Sequence, residues 1–164
     1  MRAIGRSAAD LSGVPLAALT RSGVRGLILD LDNTLVPGRG EEVPQSTERF
    51  LAQVRRAGMA AVILSNASGD RSRRLGERLG LPVIGAPRKP SARAYRRALE
   101  VLGMPAEQVV AIGDQFLTDA VGAWRQRTRV ILVDPLTRSE SLMVRAGRPV
   151  DRVLRRVLLR HLDV

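Results

Sequence analysis

Cysteine is absent from this 164-residue sequence. Its absence excludes disulfide bonds, thiolate zinc sites and cysteine nucleophiles. Aromatic residues make up only 2% of the sequence, which argues against a surface that binds single-stranded nucleic acid by base stacking. No apolar run approaches the ~20 residues of a membrane-spanning helix, and the first residues lack the continuous apolar core of a signal peptide. We therefore expect a cytoplasmic protein.

Lysine is almost absent as well. Lys89 is the only one of the 27 basic residues that is not an arginine. With 16 acidic residues the formal net charge is +11, and this excess favours an anionic partner, either nucleic acid or an anionic membrane surface. Because an amine and a guanidinium are not interchangeable at a chemical site, Lys89 is a candidate functional residue.

The hydrophobic residues, 45% of the chain, fall into short apolar runs that alternate with helical patterns. The pattern predicts strands at 26–31, 60–64, 82–84, 109–112 and 130–133, and helices at 44–57, 70–79, 91–102 and 118–126. Such alternation with short connections is typical of a parallel sheet covered by helices on both faces. We therefore predict an α/β fold, a single Rossmann-like domain with a five-stranded parallel sheet.

The whole chain, 1–164, is predicted to form this single domain. Its core covers about 24–135, preceded by an N-terminal arm at 1–23 and followed by a basic C-terminal tail at about 138–164. Within the tail, 149–162 has the pattern of an amphipathic helix, with a Val/Leu stripe and arginines largely off it. Two roles stay open for this helix: it packs its stripe on the sheet, or it presents its arginines to an anionic membrane.

Polar side chains follow four of the predicted strands. Each group alone is ordinary turn chemistry, but the carboxyl ends of parallel strands meet at one edge of a sheet, where ligands bind. Three carboxylates, a hydroxyl and the only lysine at one edge form a site that suits Mg²⁺ and a phosphate. The carboxylates are Asp30 and Asp32 at the end of the first strand and Asp114 after the fourth, the hydroxyl is that of Ser65 after the second strand, and the lysine is Lys89 after the third. Thr34, Asn66 and Asp119 lie close to them in the sequence, Asp119 five residues beyond Asp114.

The same segments resemble the four motifs of the haloacid dehalogenase (HAD) superfamily. Asp30-Leu-Asp-Asn-Thr-Leu-Val36 resembles its first motif, DxDxT[LV], and Leu64-Ser-Asn66 resembles the second. Lys89-Pro90 resembles the third motif, and Gly113-Asp-Gln-Phe-Leu-Thr-Asp119 the fourth, in the form of subclass IIIA. From about residue 11 to 162 the chain resembles the YqeG-type branch, which includes phosphatidylglycerophosphate phosphatases of bacteria, mitochondria and plastids. The absence of cysteine separates the chain from the zinc-containing sugar and histidinol phosphatases of that subclass.

The resemblance implies a role for each catalytic residue. Asp30 would be the nucleophile that attacks phosphorus and forms an aspartyl-phosphate. Asp32 would protonate the leaving alcohol and then deprotonate the hydrolytic water, and an acid at this position favours phosphatase chemistry within the superfamily. Lys89 would offset negative charge on the pentacoordinate phosphorus.

The resemblance also implies the binding groups. Asp30, the backbone carbonyl of Asp32 and Asp114 would hold Mg²⁺. Phosphate would be bound by Ser65, Asn66 and Lys89. Asp119 would reach the metal through water or orient Lys89, and Thr34 would support the same groups.

The gap between Asp30 and Ser65 has room only for a loop, a helix and a strand, and the gap between Ser65 and Lys89 only for a helix and a short strand. We therefore expect no cap domain over the site (class C0 of the superfamily). An open site suits a bulky substrate, and the +11 charge suits an anionic surface. We therefore predict an Mg²⁺-dependent phosphomonoester hydrolase of phospholipid biosynthesis that converts phosphatidylglycerophosphate to phosphatidylglycerol. It would lie in the cytoplasm, peripheral at the inner face of the membrane.

Three alternatives remain in view. A capless HAD phosphatase with this charge could act on nucleotides, nucleic-acid ends or another small phosphate ester. A phospho-acceptor receiver domain shares an Asp, a hydroxyl and a Lys at strand ends, but the adjacent pair Asp30 and Asp32 opposes it. A basic binding protein with a vestigial site is opposed by the filled catalytic positions.

Overall fold

The computed structural model describes residues 5–67, 69–85 and 89–137. Six parallel strands form one sheet in the order β1-β6-β5-β2-β3-β4. Because β2 lies beside both β3 and β5, the strand order reverses at β2, and the edge above it is where ligands bind in such sheets. The strands are β1 Gly5–Ala8, β2 Gly26–Leu29, β3 Ala60–Leu64, β4 Val83–Ile84, β5 Val109–Gly113 and β6 Arg129–Val133.

The predicted α/β class and the parallel sheet are confirmed. The five predicted strands correspond to β2 through β6, with ends that differ by at most two residues. The structure adds a sixth strand, β1, in the segment that the sequence suggested was an arm, and it pairs with β6 from Gly5↔Val130 to Ala8↔Val133.

Five α-helices flank the sheet in the described part of the chain, and glycines end two of them. Gly80 and Gly103 follow α3 and α4 in the left-handed conformation, with φ 66° and 63°, a conformation in which glycine has no Cβ penalty. The Ser91 hydroxyl accepts a hydrogen bond from the Arg93 N–H and so caps the start of α4. The helices are α1 Leu16–Arg21, α2 Gln45–Arg56, α3 Asp70–Leu79, α4 Ala92–Leu102 and α5 Val121–Arg125.

The two faces of the sheet are covered by different helices because side chains alternate along each strand. Leu27 and Leu29 of β2 point to a layer that contains Phe50 of α2 and Leu75 of α3. Ile28 points to the opposite layer, with residues of α4 and α5. This arrangement gives a three-layer α/β/α sandwich, with β2 buried along its whole length.

The predicted helix at 118–126 begins differently in the structure. A single π-helical turn, Phe116–Ala120, comes first, and α5 continues from it. Such wide turns are rare and occur frequently at functional sites. This one contains Asp119.

The described residues between the four motifs form single helices and strands with their connecting loops, with no inserted cap domain among them. Of the helices in the described part of the chain, none is long and apolar enough to cross a membrane. The predicted helix at 149–162 lies outside the described residues.

Candidate active site

Asp30 is held at the carboxyl end of β2. Its backbone N–H donates to the Ile112 carbonyl on β5 at 2.9 Å, so two neighbouring strands fix its position. Its side chain is buried, and Oδ2 lies 3.5 Å from the Thr34 hydroxyl, itself buried in the loop that follows. The predicted nucleophile and its predicted supporting residue are therefore brought together.

The loop after Asp30 turns back on itself at Asn33. Asn33 adopts φ 63°, a left-handed conformation that asparagine tolerates better than most residues. Its Oδ1 accepts the Gly38 N–H at 2.9 Å and the Thr137 hydroxyl at 2.8 Å, so it ties the first-motif loop to the segment after β6. The sequence signals only a turn here; the link to Thr137 is a tertiary contact that it does not show.

Lys89 lies at the centre of the site. Its ammonium group contacts Asp30 Oδ1 directly and lies 2.7 Å from Asp119 Oδ1. The side chain is only 3% exposed, so both ion pairs are shielded from water. One buried cation thus bridges the residues that end β2 and follow β5.

The position of Asp119 depends on the π-helical turn and on two neighbours. Its Oδ2 accepts the Gln115 N–H at 3.2 Å, so both carboxylate oxygens have donors. The Tyr95 hydroxyl from α4 donates to the Asp119 carbonyl at 3.1 Å and fixes the turn from behind. Gly113 must lack a side chain, because a Cβ there would overlap the Asp119 carboxyl group.

Three buried carboxylates form a cluster that suits a hard cation. Asp30, Asp114 and Asp119 each offer an oxygen, and these oxygens lie within 4.8 Å of one another. Carboxylate oxygens are the ligands that Mg²⁺ takes in proteins. Three buried carboxylates this close together repel one another when ionised, so the donor set fits a divalent cation.

Of the two second-motif residues, Asn66 binds the backbone of Lys89. Ser65 is buried at the end of β3, and its hydroxyl accepts the Ala67 N–H at 3.0 Å. The Asn66 side chain accepts the Lys89 N–H at 2.6 Å and donates to the Lys89 carbonyl at 3.3 Å. The Asn66 side chain is therefore occupied by the lysine backbone, a contact that the sequence did not reveal.

Asp32 contacts a residue that the sequence analysis missed. Arg71, in the first turn of α3, places NH1 2.8 Å from Asp32 Oδ1. Asp32 Oδ1 is buried without a hydrogen bond, so the contact is an ion pair rather than an aligned hydrogen bond. No signal in the sequence distinguishes Arg71 from the other arginines.

Burial and the ion pairs with Lys89 together set the pKa values in the site. Burial raises the pKa of Asp30 to about 7, although the Lys89 ammonium opposes the shift. Burial alone would lower the pKa of Lys89, but the carboxylates of Asp119 and Asp30 together raise it above its usual value. Lys89 is therefore charged at neutral pH, whereas ionisation of Asp30 is costly unless a further cation is present.

Comparisons with known proteins point to one family. The profile of the HAD-hydrolase-like family matches residues 86–157. The sequence is 38% identical over 135 residues to "Probable phosphatase YqeG" of Bacillus subtilis (strain 168), covering 82% of this chain and 78% of that protein.

Two chloroplast enzymes are also related. The sequence is 32% identical over 143 residues to the chloroplastic phosphatidylglycerophosphate phosphatase 1 of Chlamydomonas reinhardtii, covering 81% of this chain and 53% of that protein. A match to the chloroplastic/mitochondrial phosphatidylglycerophosphate phosphatase 1 of Arabidopsis thaliana, at 26% identity, covers 47% of that protein. The matched segment thus spans about half the length of both proteins.

Solved structures share the fold. The cobalt-bound deoxy-D-mannose-octulosonate 8-phosphate phosphatase of Haemophilus influenzae superposes with a TM-score of 0.55 at 18% identity, covering 68% of this chain and 69% of that one. A protein from Listeria monocytogenes serotype 4b superposes with a TM-score of 0.57 at 19% identity, covering 71% of this chain and 84% of that one.

Proposed function

The chain belongs to the YqeG family of HAD-like phosphatases, and from that premise we propose that it hydrolyses phosphate monoesters with Mg²⁺ through an aspartyl-phosphate. The proposal rests above all on the position of Lys89. Its buried ammonium group contacts Asp30 and Asp119 together, at the edge of the sheet where the strand order reverses. A buried cation beside a buried carboxylate prepares that carboxylate to receive an anionic phosphoryl group.

In the first half of the reaction, an Asp30 carboxylate oxygen attacks phosphorus and the bond between phosphorus and the leaving oxygen breaks. Asp32 donates a proton to that oxygen, and the alcohol departs. Negative charge develops on the phosphoryl oxygens, and the proposed phosphate-binding residues Ser65, Asn66 and Lys89 stabilise it. The product of this half is a phosphorylated Asp30.

In the second half, water hydrolyses the aspartyl-phosphate. Asp32, now ionised, accepts a proton from the water as its oxygen bonds to phosphorus. The acyl-phosphate bond breaks, inorganic phosphate is released, and Asp30 returns as a carboxylate. Asp32 regains its proton in this step, so the cycle closes.

The cation site is proposed to consist of Asp30, Asp114 and the backbone carbonyl of Asp32. Asp119 supports them, because Lys89 and the Gln115 N–H already bind its carboxylate oxygens. When bound, Mg²⁺ neutralises charge between the nucleophile and the phosphoryl group. Its presence would also offset the burial of Asp30.

We propose phosphatidylglycerophosphate as the substrate, with phosphatidylglycerol as the product. Two related proteins, one chloroplastic and one chloroplastic/mitochondrial, carry that activity in their names. The net charge of +11 favours approach to an anionic bilayer. The described part of the chain has no cap domain over the catalytic edge, so a headgroup that stays attached to a bilayer can reach Asp30.

A substrate screen tests the proposal. The purified chain is assayed with Mg²⁺ on phosphatidylglycerophosphate in mixed micelles, glycerol 3-phosphate, nucleotides and a 5′-phosphorylated oligonucleotide. We expect the lipid to give the highest kcat/KM. Asp30→Asn should abolish turnover, and Asp114→Ala should raise the Mg²⁺ concentration that gives half of the maximal rate.

The screen also separates the proposal from its main rival. The net charge suits nucleic-acid ends as well as lipids. Faster hydrolysis of the oligonucleotide or of nucleotides would replace the lipid substrate and keep the phosphatase mechanism. Retention of most activity by Asp30→Asn would reject the nucleophile, and with it the mechanism.

A further inference from the structure

Arg71 connects helix α3 to the loop that follows the first motif. Its Nε and NH2 donate to the Gly40 carbonyl at 3.2 and 2.6 Å. Its NH1 lies 2.8 Å from Asp32 Oδ1, and its side chain is 21% exposed. Arg71 is therefore fixed beside the proposed acid and base, and its side chain is still partly exposed to solvent.

The same loop is held by two further arginines of α3 that do not contact Asp32 in the part of the chain that the structure describes. Arg74 lies 2.6 Å from Glu41 Oε1, and Arg78 donates to the Glu41 carbonyl at 3.2 Å. Three arginines of α3 bind this loop, so the loop would stay attached to α3 without the contact between Arg71 and Asp32. That contact calls for a different explanation.

The chemistry of Asp32 places Arg71 on the leaving-group side of the site. In the proposed reaction Asp32 donates its proton to the leaving oxygen, so whatever is attached to that oxygen lies next to Asp32 and its neighbour. The bonds to Gly40 use two of the five guanidinium N–H groups, and the contact with Asp32 is an ion pair without an aligned hydrogen bond. Donors on NH1 remain for a further acceptor.

A substrate that carries a second anionic group would need a cation such as Arg71 on the leaving-group side of the site. Asp30, Asp114 and Asp119 repel any negative charge at the catalytic edge, and Lys89 is committed to two of them. A guanidinium binds a phosphate oxygen pair through its planar N–H groups, and such charge-assisted bonds are among the strongest in proteins. Arg71 has the position, the donors and the partial exposure that binding requires.

We propose that Arg71 is a specificity-determining residue that binds a second anionic group of the substrate, a phosphodiester attached through the leaving alcohol. This inference rests on the proposed function and deepens it, since the headgroup of phosphatidylglycerophosphate carries such a diester. Arg71 would thereby distinguish this headgroup from phosphate monoesters whose alcohol is neutral.

Two soluble substrates test the inference without a membrane. Glycerol 3-phosphate releases a neutral alcohol, whereas glycerophosphoglycerol phosphate, the deacylated headgroup, adds only the diester-linked glycerol. For Arg71→Gln we expect KM for the headgroup to rise at least about tenfold more than KM for glycerol 3-phosphate, because one charge-assisted contact is lost. Arg71→Lys, which keeps the charge, should recover part of the difference.

Arg74→Gln is the matched control, because it loosens the same loop without touching Asp32. It should leave the ratio of the two KM values as in the wild type. If Arg71→Gln lowers kcat equally on both substrates and leaves the KM ratio unchanged, Arg71 only positions Asp32 and the anion site is rejected. If the wild type hydrolyses neither substrate with Mg²⁺, the proposed function fails instead.

Competition in the wild type decides the question if Arg71→Gln does not fold. Glycerophosphoglycerol carries the diester but no terminal phosphate. We expect it to inhibit hydrolysis of glycerol 3-phosphate competitively, and glycerol at the same concentration to have no effect. If glycerophosphoglycerol and glycerol inhibit equally, or if neither inhibits, the inference is overturned.

Discussion

At Lys89, one ammonium group contacts two carboxylates in a space that excludes water. A guanidinium is wider than an ammonium and binds carboxylates through a planar fork. Lys89→Arg should therefore displace Asp30 or Asp119 and lower kcat at least ~10-fold, about 1.4 kcal/mol in the barrier. Steady-state rates on a soluble ester measure the effect. The reverse exchange at an exposed position, Arg74→Lys, is the control, and an active Lys89→Arg enzyme would refute the role of the lysine.

Asp30, the proposed nucleophile, also affects stability. Burial raises its pKa to about 7 from an ordinary value of 3.8. A carboxyl group whose pKa is higher in the folded chain stabilises the fold while it is protonated, and this contribution is lost as pH rises through about 7. Asp30→Asn cannot ionise. We therefore expect the metal-free variant to melt several degrees above the wild type at pH 8, with a smaller difference at pH 5.

Thermal melting with and without Mg²⁺ checks this prediction. If Mg²⁺ binds the folded state at the proposed site, it should raise the midpoint of the wild type at pH 8 and raise that of Asp30→Asn less. A variant that melts below the wild type at both pH values would show that the contact between Asp30 and Lys89 outweighs the cost of burial.

The sequence predicts the site residues that immediately follow strands, because the end of a parallel strand defines where its next side chains lie. Asp30, Ser65 and Asp114 are of this kind. The contacts between Asp32 and Arg71 and between Asn66 and the Lys89 backbone join residues far apart in the chain. These contacts form only because α3 packs beside Asp32 and Lys89 packs beside Asn66, and no local pattern in the sequence indicates such packing.

At the scale of helices and strands, too, the features that a local pattern defines are predicted, and those that depend on tertiary contacts are not. The sequence predicts helix α3 with its observed ends, because the helical pattern runs from Asp70 to Leu79 and Gly80 follows it. Strand β1 was not predicted, because its sequence, Gly-Arg-Ser-Ala, has no apolar run and its strand conformation depends on pairing with β6. The last three residues of the π-helical turn, 118–120, were predicted as part of an ordinary helix, and the first two were not predicted as helix. No local pattern in the sequence indicates the hydrogen bond between Tyr95 and the Asp119 carbonyl that lies behind this turn.

The π-helical turn gives a prediction at this scale. The Tyr95 hydroxyl donates to the carbonyls of Thr118 and Asp119 at 3.3 and 3.1 Å. Tyr95→Phe keeps the ring that packs against Gly122 and removes only these bonds. We expect a loss of about 1 kcal/mol in the free energy of unfolding and a lower kcat, because Asp119 would hold Lys89 less firmly.

Urea unfolding and steady-state kinetics measure the two effects. Thr20→Val is a suitable control, since it removes a hydroxyl that bonds within α1 to the Leu16 carbonyl, away from the catalytic edge. It should cost stability without changing kcat. If Tyr95→Phe behaves like this control, the hydroxyl stabilises the fold and has no part in positioning Asp119.

At the scale of the whole molecule, the catalytic groups and the excess charge are separable. The described residues include Asp30, Asp32 and Lys89, the groups that the proposed mechanism uses on a small ester. The sequence adds a dense group of arginines in the C-terminal tail, outside the described residues, at positions 145, 148, 152, 155, 156 and 160. If the substrate is a lipid, this charge should matter at a bilayer and not for a soluble ester.

We therefore expect binding to anionic vesicles to weaken steeply as salt rises, because exposed charges are screened over ~8 Å at physiological ionic strength. Replacing four tail arginines with glutamine should lower turnover of vesicle-embedded phosphatidylglycerophosphate far more than turnover of glycerol 3-phosphate.

A second quadruple variant removes the same charge from exposed positions elsewhere and should have a smaller effect on the vesicle reaction. An equal loss on both substrates would make the tail structural, and no loss on either would favour the nucleic-acid alternative. The tail set is Arg152, Arg155, Arg156 and Arg160, and the control set is Arg21, Arg56, Arg93 and Arg96.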